Sequence, residues 1–369
     1  MVRIRQLSGR MGMTTVMQPV LPWLTALVHL YLIGLLTWAM LHTLFGDRWW
    51  WLFLLNALAV YLFVPLPVTL AVAWWNRQRI TWSGVLAGMV LGLYLYSDIL
   101  FPPLPPVHAA QGVSISVMSF NMLRYNTHSE SLITALRDSD ADVIALQELN
   151  EPITQAIEQH LAADYPYRLL VPEGSNNGMG VISRYPLRPV DATLPGDWMG
   201  QPQVVELDLD GLPVTLLNVH VRSTSIGEGG NIIFDPSFME STIREREQQA
   251  RTIAAFAAAQ SQPLLVMGDF NTGDLSDAYR TLTGVLHDSW RVAGWGLGHT
   301  FPGASSSGSS RPKIGGISLP MWLVRIDYIF YSDDWQAQEA SIGPWDGVSD
   351  HRPVMATLLL QPAVAEEDS

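Results

Sequence analysis

Three apolar stretches crowd into the first 105 residues, at about 22–44, 50–73 and 82–101. Each is near the roughly 20 residues that an α-helix needs to cross a bilayer. A cleaved signal peptide would account for one short stretch and leave the other two unexplained. The pattern predicts a membrane anchor of three transmembrane helices over residues 1–105. Trp23, Trp38, Trp49, Trp50, Trp51, Trp74, Trp75 and Trp82 lie mostly at the ends of these stretches, where amphipathic rings favour the membrane–water interface.

Arginine placement orients the anchor. Arg3, Arg5 and Arg10 precede the first stretch, and Arg77 and Arg79 lie between the second and third. Basic segments stay on the cytoplasmic side, with Arg48 as the minor exception. The expectation is a multi-pass plasma (inner) membrane protein with a cytoplasmic N-terminus and everything after about residue 102 extracytoplasmic. His29 and His42, inside the first stretch, read as neutral packed histidines rather than functional intramembrane groups. The run Phe101-Pro-Pro-Leu-Pro-Pro-Val107 cannot continue a helix, because proline lacks the amide donor. Residues 106–113 therefore read as a short, stiff linker.

Charge divides the chain at the same place: +4 up to residue 105 and −17 beyond it. A domain that acidic repels polyanions unless a local basic groove overcomes the field, and Lys313 is the only lysine. With no cysteine, thiolate nucleophiles and cysteine-ligated metals are excluded, so any metal must be held by oxygen or imidazole.

From residue 114 onward, short apolar runs alternate with turn signals, which predicts many strands and few helices. Strands are expected at about 114–121, 142–149, 178–183, 204–209, 214–221, 263–270, 326–331 and 354–360, with a hairpin turn at Asp210-Gly211. Helices are expected at about 129–137, 153–163 and 243–260, and residues 361–369 read as a disordered acidic tail.

Several of these strands end in carboxylate, amide or imidazole groups, the rim positions where distant segments converge. The segments are Ser119-Phe-Asn121, Leu146-Gln-Glu148, Asn218-Val-His220, Gly268-Asp269-Phe-Asn271, Arg325-Ile-Asp327 and Ser349-Asp350-His351. Taken singly, each is equally the mark of a turn or a helix cap. Asp269 and Asn271 are stronger, since i, i+2 spacing puts both on one side of an extended chain.

Together and in this order, the segments resemble the endonuclease/exonuclease/phosphatase superfamily over about residues 114–360. Gly178-Met-Gly-Val-Ile-Ser-Arg-Tyr-Pro186 and Arg246-x-x-Gln249 extend the likeness. The resemblance implies an α+β fold, a four-layer α/β/β/α sandwich, preceded here by the three transmembrane helices. It also implies hydrolysis of a phosphate ester or anhydride with Mg²⁺ or Mn²⁺. Glu148, with Asn121 and Asp350, would hold the metal through oxygen atoms. Asp269 would orient or deprotonate the attacking water, and Asn271 would help hold that water and a phosphate oxygen. His351 would donate to the phosphoryl oxygens with Asp327 on its other nitrogen, and His220 would be a second phosphate contact.

The fold leaves the substrate open. Two segments between motifs, 224–240 with Ile232, Ile233 and Phe234, and 304–320 followed by Trp322, should flank the site's mouth. Their apolar groups would either touch a bilayer or lipid chain or pack the loops onto the domain. Anchor, short linker and acidity favour a lipid-linked phosphate beside the bilayer as substrate. A membrane-tethered extracellular nuclease is the alternative; it requires a basic groove, with Arg124, Arg184 and Arg222 as its candidates. A non-catalytic membrane scaffold or sensor is the third reading. Oligomeric state leaves no mark in the sequence.

Overall fold

The computed structural model describes residues 20–103, 112–223, 230–303 and 311–361. The linker up to residue 111 and the tail from 362 lie outside the described residues. The chain forms two compact units. One holds the apolar helices up to Phe45 and from Ala59 to Ser97; the other takes Gly46–Leu58 and everything from Asp98 onward.

Within the first unit, three helical segments are long and apolar enough to cross a membrane: Pro22–Phe45, Ala59–Asn76 and Arg79–Leu100. Leu27, Leu30 and Ile33 on the first helix are 61%, 67% and 63% exposed, so its outer face is apolar and suited to lipid rather than water. Val28, Leu32, Ala73 and Val85 pack inward. His29 Nε2 is 2.8 Å from Thr81 Oγ1, and His42 stacks on Trp38, so both histidines have packing partners.

The second apolar stretch differs from a single helix over 50–73. It divides into a helix Trp50–Ala57, a 3-10 turn Ala59–Phe63 and a helix Leu66–Asn76. Pro65 and Pro67 cannot sit inside a continuous helix, and Asn56 is a polar residue inside the apolar run. Its amide donates to Gly46 O at 3.1 Å and to Asp47 Oδ1 at 2.7 Å, holding the Trp50–Ala57 helix within the second unit.

The second unit contains the sandwich. Its strands are β1 (Val113–Asn121), β2 (Val143–Gln147), β3 (Tyr167–Val171), β4 (Met179–Ser183), β5 (Leu187–Pro189), β6 (Gln203–Leu209) and β7 (Leu212–His220). They continue with β8 (Leu264–Asp269), β9 (His287–Asp288), β10 (Lys313–Ile314), β11 (Ile317–Ser318), β12 (Asp327–Tyr331), β13 (Trp335–Ile342) and β14 (Val354–Leu360). Two six-stranded sheets form, in the orders β13-β14-β1-β2-β4-β3 and β5-β6-β7-β8-β12-β9. All eight expected strands are present to within a residue or two.

Strand periodicity places the layers. Ile115, Val117, Val143, Ala145, Val214, Leu216, Leu265 and Met267 meet between the sheets. The alternate residues Met118, Phe120, Ile144 and Leu146 face helices Ser129–Asp138 and Glu151–His160. Leu217, Val219, Leu264 and Val266 face helices Pro236–Ala258 and Asp277–Thr283. The result is the expected four-layer α/β/β/α sandwich.

Helix Pro236–Ala258 begins well before the expected residue 243, because Asp235 caps it. The Asp235 carboxylate accepts from Ser237 N at 2.9 Å and Phe238 N at 3.1 Å, with Pro236 at the first helical position. At the expected hairpin, Asp210 and Gly211 both adopt positive φ, at 56° and 92°.

Candidate active site

Each inward-facing row of the sandwich runs from apolar core to polar rim. On β1 the row is Ile115, Val117, Ser119, Asn121; on β7 it is Val214, Leu216, Asn218, His220; on β8 it is Leu265, Met267, Asp269. Register aligns the ends: His220 pairs with Asp269 across β7 and β8, and Asp327 with Asp269 across β8 and β12. Alternation thus delivers side chains from three adjacent strands to one edge of the core.

A layer of buried amides separates apolar core from site. Gln147 Nε2 donates to Asn218 Oδ1 at 2.8 Å, while Asn218 Nδ2 donates to Leu146 O at 3.1 Å and Gly180 O at 3.0 Å. These contacts tie the two sheets together where water would otherwise enter. Gln147 and Asn218 stand inside the quoted motifs, but spacing alone gives them no role. Gly268 has a related duty: a Cβ there would lie 1.9 Å from Val219 O, so only glycine lets β7 and β8 approach beside Asp269.

Asp269 is the centre of the cluster. Its Oδ1 accepts from Asn271 N at 2.9 Å. Its Oδ2 accepts from Asn121 Nδ2 at 3.0 Å and lies 3.5 Å from His220 Nε2 and 3.8 Å from His351 Nε2. His220 Nδ1 is 3.1 Å from the carbonyl of Asn176, which aims Nε2 at Asp269. His351 Nδ1 sits 2.9 Å from Asp327 Oδ2, and Phe301 packs on the ring. The Asn271 side chain donates to Val221 O at 3.0 Å, and its backbone is left-handed at φ 49°. Glu148, at φ 59°, is likewise left-handed, and its Oε2 accepts from Arg124 N at 2.8 Å. Such conformations concentrate where the surrounding structure holds functional groups in place.

Every residue expected at the site is brought there. Glu148, His220, Asp269, Asn271, Asp350 and His351 line one cavity of about 950 Å³, with Asn121 and Asp327 directly behind Asp269 and His351. Spacing could not reveal the residues that hold these in place. Ser349 Oγ donates to Asn121 O at 2.7 Å and accepts from His351 N at 3.0 Å, fastening the Asp350-His351 turn to β1. Arg325, buried, grips Asp288 at 2.7 Å and 3.1 Å just before Asp327.

The electrostatics are those of a buried acidic centre. Burial and the charge of Asp327 raise Asp269, against the pull of His351 and His220. Burial pushes Asp350 up to about 6, helped by Glu148 and opposed by His351. Burial opposes charge on His351, but Asp327 and Asp269 outweigh it and hold the imidazole well above the ordinary histidine range. Among the described residues, Glu148 and Asp350 are in no salt bridge with lysine or arginine. Two oxygen donors without a lysine or arginine partner, offset in part by the His351 imidazolium, fit a hard divalent cation.

Asp269, Asp327 and His351 also come within 4.8 Å of one another and could geometrically share an ion. One ring nitrogen of His351 faces Asp327, which leaves Nε2 as the nitrogen that could reach an ion there.

The profile of the Endonuclease/Exonuclease/phosphatase family matches residues 118–351, more than half of the chain. The chain belongs to the endonuclease/exonuclease/phosphatase family. Members of this family are divalent-metal-dependent phosphoesterases and nucleases. No curated protein matches the chain. Among solved structures, TDP2 from Caenorhabditis elegans aligns at 18% identity with a TM-score of 0.51, over 68% of this chain and 77% of that one. A selenomethionine form of the same protein aligns at 16% identity and TM-score 0.51, over 81% and 92%. A family protein from Bacteroides thetaiotaomicron aligns at 16% identity and TM-score 0.49, over 68% and 100%. At these identities the C. elegans likenesses establish the fold of the catalytic unit and nothing finer.

Proposed function

We propose that this protein is a membrane-anchored phosphohydrolase that uses Mg²⁺ or Mn²⁺ to cleave a phosphate ester or anhydride of a lipid-linked substrate outside the cytoplasm. The observation that carries the reading is the convergence of Asn121, His220 and His351 on Asp269 Oδ2, beside Glu148 and Asp350, two carboxylates without a lysine or arginine partner among the described residues.

Each residue has a task that its contacts support. Asp269, with one oxygen fixed by Asn271 N, offers the other to orient a water and accept its proton. His351, held by Asp327, donates from Nε2 to a phosphoryl oxygen, and His220 gives a second contact. Asn271, anchored on Val221 O, faces the same space. Glu148 and Asp350, with Asn121 beside them, would hold the metal. When bound, that metal would neutralise charge building on phosphorus and the leaving oxygen.

Lipid is favoured over nucleic acid by what happens to the arginines. Arg184 pairs with Asp140 at 2.5 Å and Asp142 at 3.3 Å, beyond the end of β4 remote from Gln147. Arg222 lies 3.5 Å from Glu245 and 3.8 Å from Asp197. Of the arginines lining the cavity, Arg222 is engaged by these acids and Arg246 by the Asn271 carbonyl, which with Arg124 falls well short of a groove that could track a polyanion. The segment 230–240, by contrast, brings Ile232 and Phe234 to the cavity.

The test uses the full-length protein in detergent micelles, with Mg²⁺ or Mn²⁺ and with chelator, against polyprenyl diphosphate, sphingomyelin and plasmid DNA. Metal-dependent phosphate release from a lipid is expected. DNA cleavage without lipid turnover would overturn the substrate reading; no turnover at all would favour the scaffold. Protease protection of the catalytic unit in sealed inverted vesicles checks the orientation.

A further inference from the structure

The cavity that holds the polar cluster has an apolar wall that comes from outside the family-matched region. Residues Phe53, Leu54, Ala57 and Leu58 of the Trp50–Ala57 helix and its following residue line it, together with Ile232 and Phe234, whose ring lies 6.4 Å from that of Trp50. In sequence this helix is strung between the apolar helix ending at Phe45 and the span starting at Ala59.

The helix is built into the catalytic unit. Asp47 N donates to Asp277 Oδ2 at 2.8 Å, and Asp277 N donates to Asp47 Oδ2 at 2.9 Å, a reciprocal pair. Gly46, at φ 53°, is required there, since a Cβ would fall 2.1 Å from the Asp277 carboxylate. Phe53 covers the guanidinium of Arg246, 4.7 Å from ring centroid to Cζ, and Arg246 in turn donates to the Asn271 carbonyl. The catalytic Asp269–Asn271 turn, Arg246 and Phe53 therefore form one continuous stack.

We infer that the Trp50–Ala57 helix is a substrate-binding element, whose Phe53, Leu54, Ala57 and Leu58 hold the hydrocarbon chain of a phosphate-bearing lipid while its phosphate sits at Asp269 and His351. The inference rests on the phosphohydrolase reading above and names the part of the chain that selects its substrate. Three features converge on that occupant. The cavity, about 950 Å³, is far larger than a phosphate requires and continuous from polar cluster to apolar wall. Leu54, Ala57 and Leu58 offer methyl and methylene groups to the cavity, and Phe53 an aromatic ring that lies on Arg246. The helix's covalent neighbours on both sides are candidate membrane spans, a sequence context that suits a lipid as the ligand.

The experiment compares farnesyl and dimethylallyl diphosphate, identical heads on long and short chains, with the full-length protein and its Leu54→Asn and Ala57→Phe variants. One variant makes the wall polar and the other fills it. The wild type should prefer farnesyl by tenfold or more in kcat/KM, about the yield of two extra buried methylenes. Each variant should cut that ratio about tenfold. The ratio is taken within one preparation, so a partly unfolded variant still reports. An unchanged ratio in both variants overturns the inference. Equilibrium binding of a non-hydrolysable farnesyl phosphonate separates the two readings. If the phosphonate binds the wild type, binds the variants about tenfold more weakly, and lipid diphosphates are not hydrolysed, the lipid-hydrolase reading fails and this one stands. If lipid is hydrolysed with unaltered chain preference, this one fails alone. If the phosphonate does not bind, this inference is overturned.

Discussion

Asp269 shows how much one carboxylate depends on its neighbours. Its two oxygens face different partners, one the backbone of Asn271 and the other Asn121, His220 and His351. Asp269→Asn keeps the shape and removes the base, so kcat should fall by about 10² to 10⁴ with the thermal unfolding temperature within a few degrees. His351→Ala should cost a similar factor, since it removes the donor and strands Asp327. Steady-state kinetics beside a melting curve checks both; either variant keeping most of its metal-dependent rate would refute the assigned roles. Because Asp327 and Asp269 hold the His351 proton well above the usual range, the wild-type rate should show no histidine-like loss as pH rises from about 6 to 8.

At the scale of elements, the strand β12 is seated by Arg325, whose buried guanidinium meets Asp288 on β9 and stacks on Tyr328, 4.5 Å away. Asp327, two residues on, reaches His351 only if that seating holds. Arg325→Met should cost about 3–5 kcal/mol, because it leaves the buried Asp288 without its counter-charge. Urea unfolding reads the loss, and a cost under about 1 kcal/mol would show the pair to be dispensable. The two acidic residues of the first 105 work at the same scale. Asp47 meets Asp277, and Asp98 meets Arg291 at 2.6 Å. Both pairs lie within the second unit, where Asp47 holds the segment that leads into the Trp50–Ala57 helix. Gly46→Ala should therefore disturb the Asp47–Asp277 pair, lowering the midpoint of unfolding by several degrees.

Across the whole molecule, buried carboxylates link stability to pH and metal. Asp47 and Asp350 are each raised from 3.8 to about 6, chiefly by burial. A carboxyl whose folded pKa is raised stabilises the fold in its protonated form. That contribution is complete below the unfolded value and is lost as pH rises through about 6. For each group the loss is on the order of 3 kcal/mol. The metal-free protein should thus become less stable between about pH 4 and 7. Mg²⁺ at Glu148 and Asp350 should offset the Asp350 share, so it should raise the unfolding temperature more at about pH 7.5 than at about pH 5. Scanning calorimetry with and without metal decides the matter, and equal shifts at both pH values would count against metal binding at Asp350.

Periodicity carried the strands and their polar rim into view from sequence, and the family resemblance implied the sandwich. Strand alternation is a local property, and a polar residue ending an inward-facing row at Asn121, His220 or Asp269 has one place to go. The apolar stretches were equally legible, because length and hydropathy are all that a bilayer requires. What pairwise distance decides stayed hidden: Gln147 on Asn218, Ser349 bridging Asn121 and His351, and Arg325 on Asp288 join residues far apart in sequence. The stretch 50–73 failed for a related reason. Hydropathy cannot distinguish a helix that faces lipid from one that faces a cavity, and the difference rests on Gly46, Asp47 and Asn56 meeting Asp277 and each other. Sequence determined that this chain joins three apolar stretches to an endonuclease/exonuclease/phosphatase fold. Tertiary structure alone decided that a piece of the apparent anchor is a wall of the active site, because only folding brings Phe53 onto Arg246.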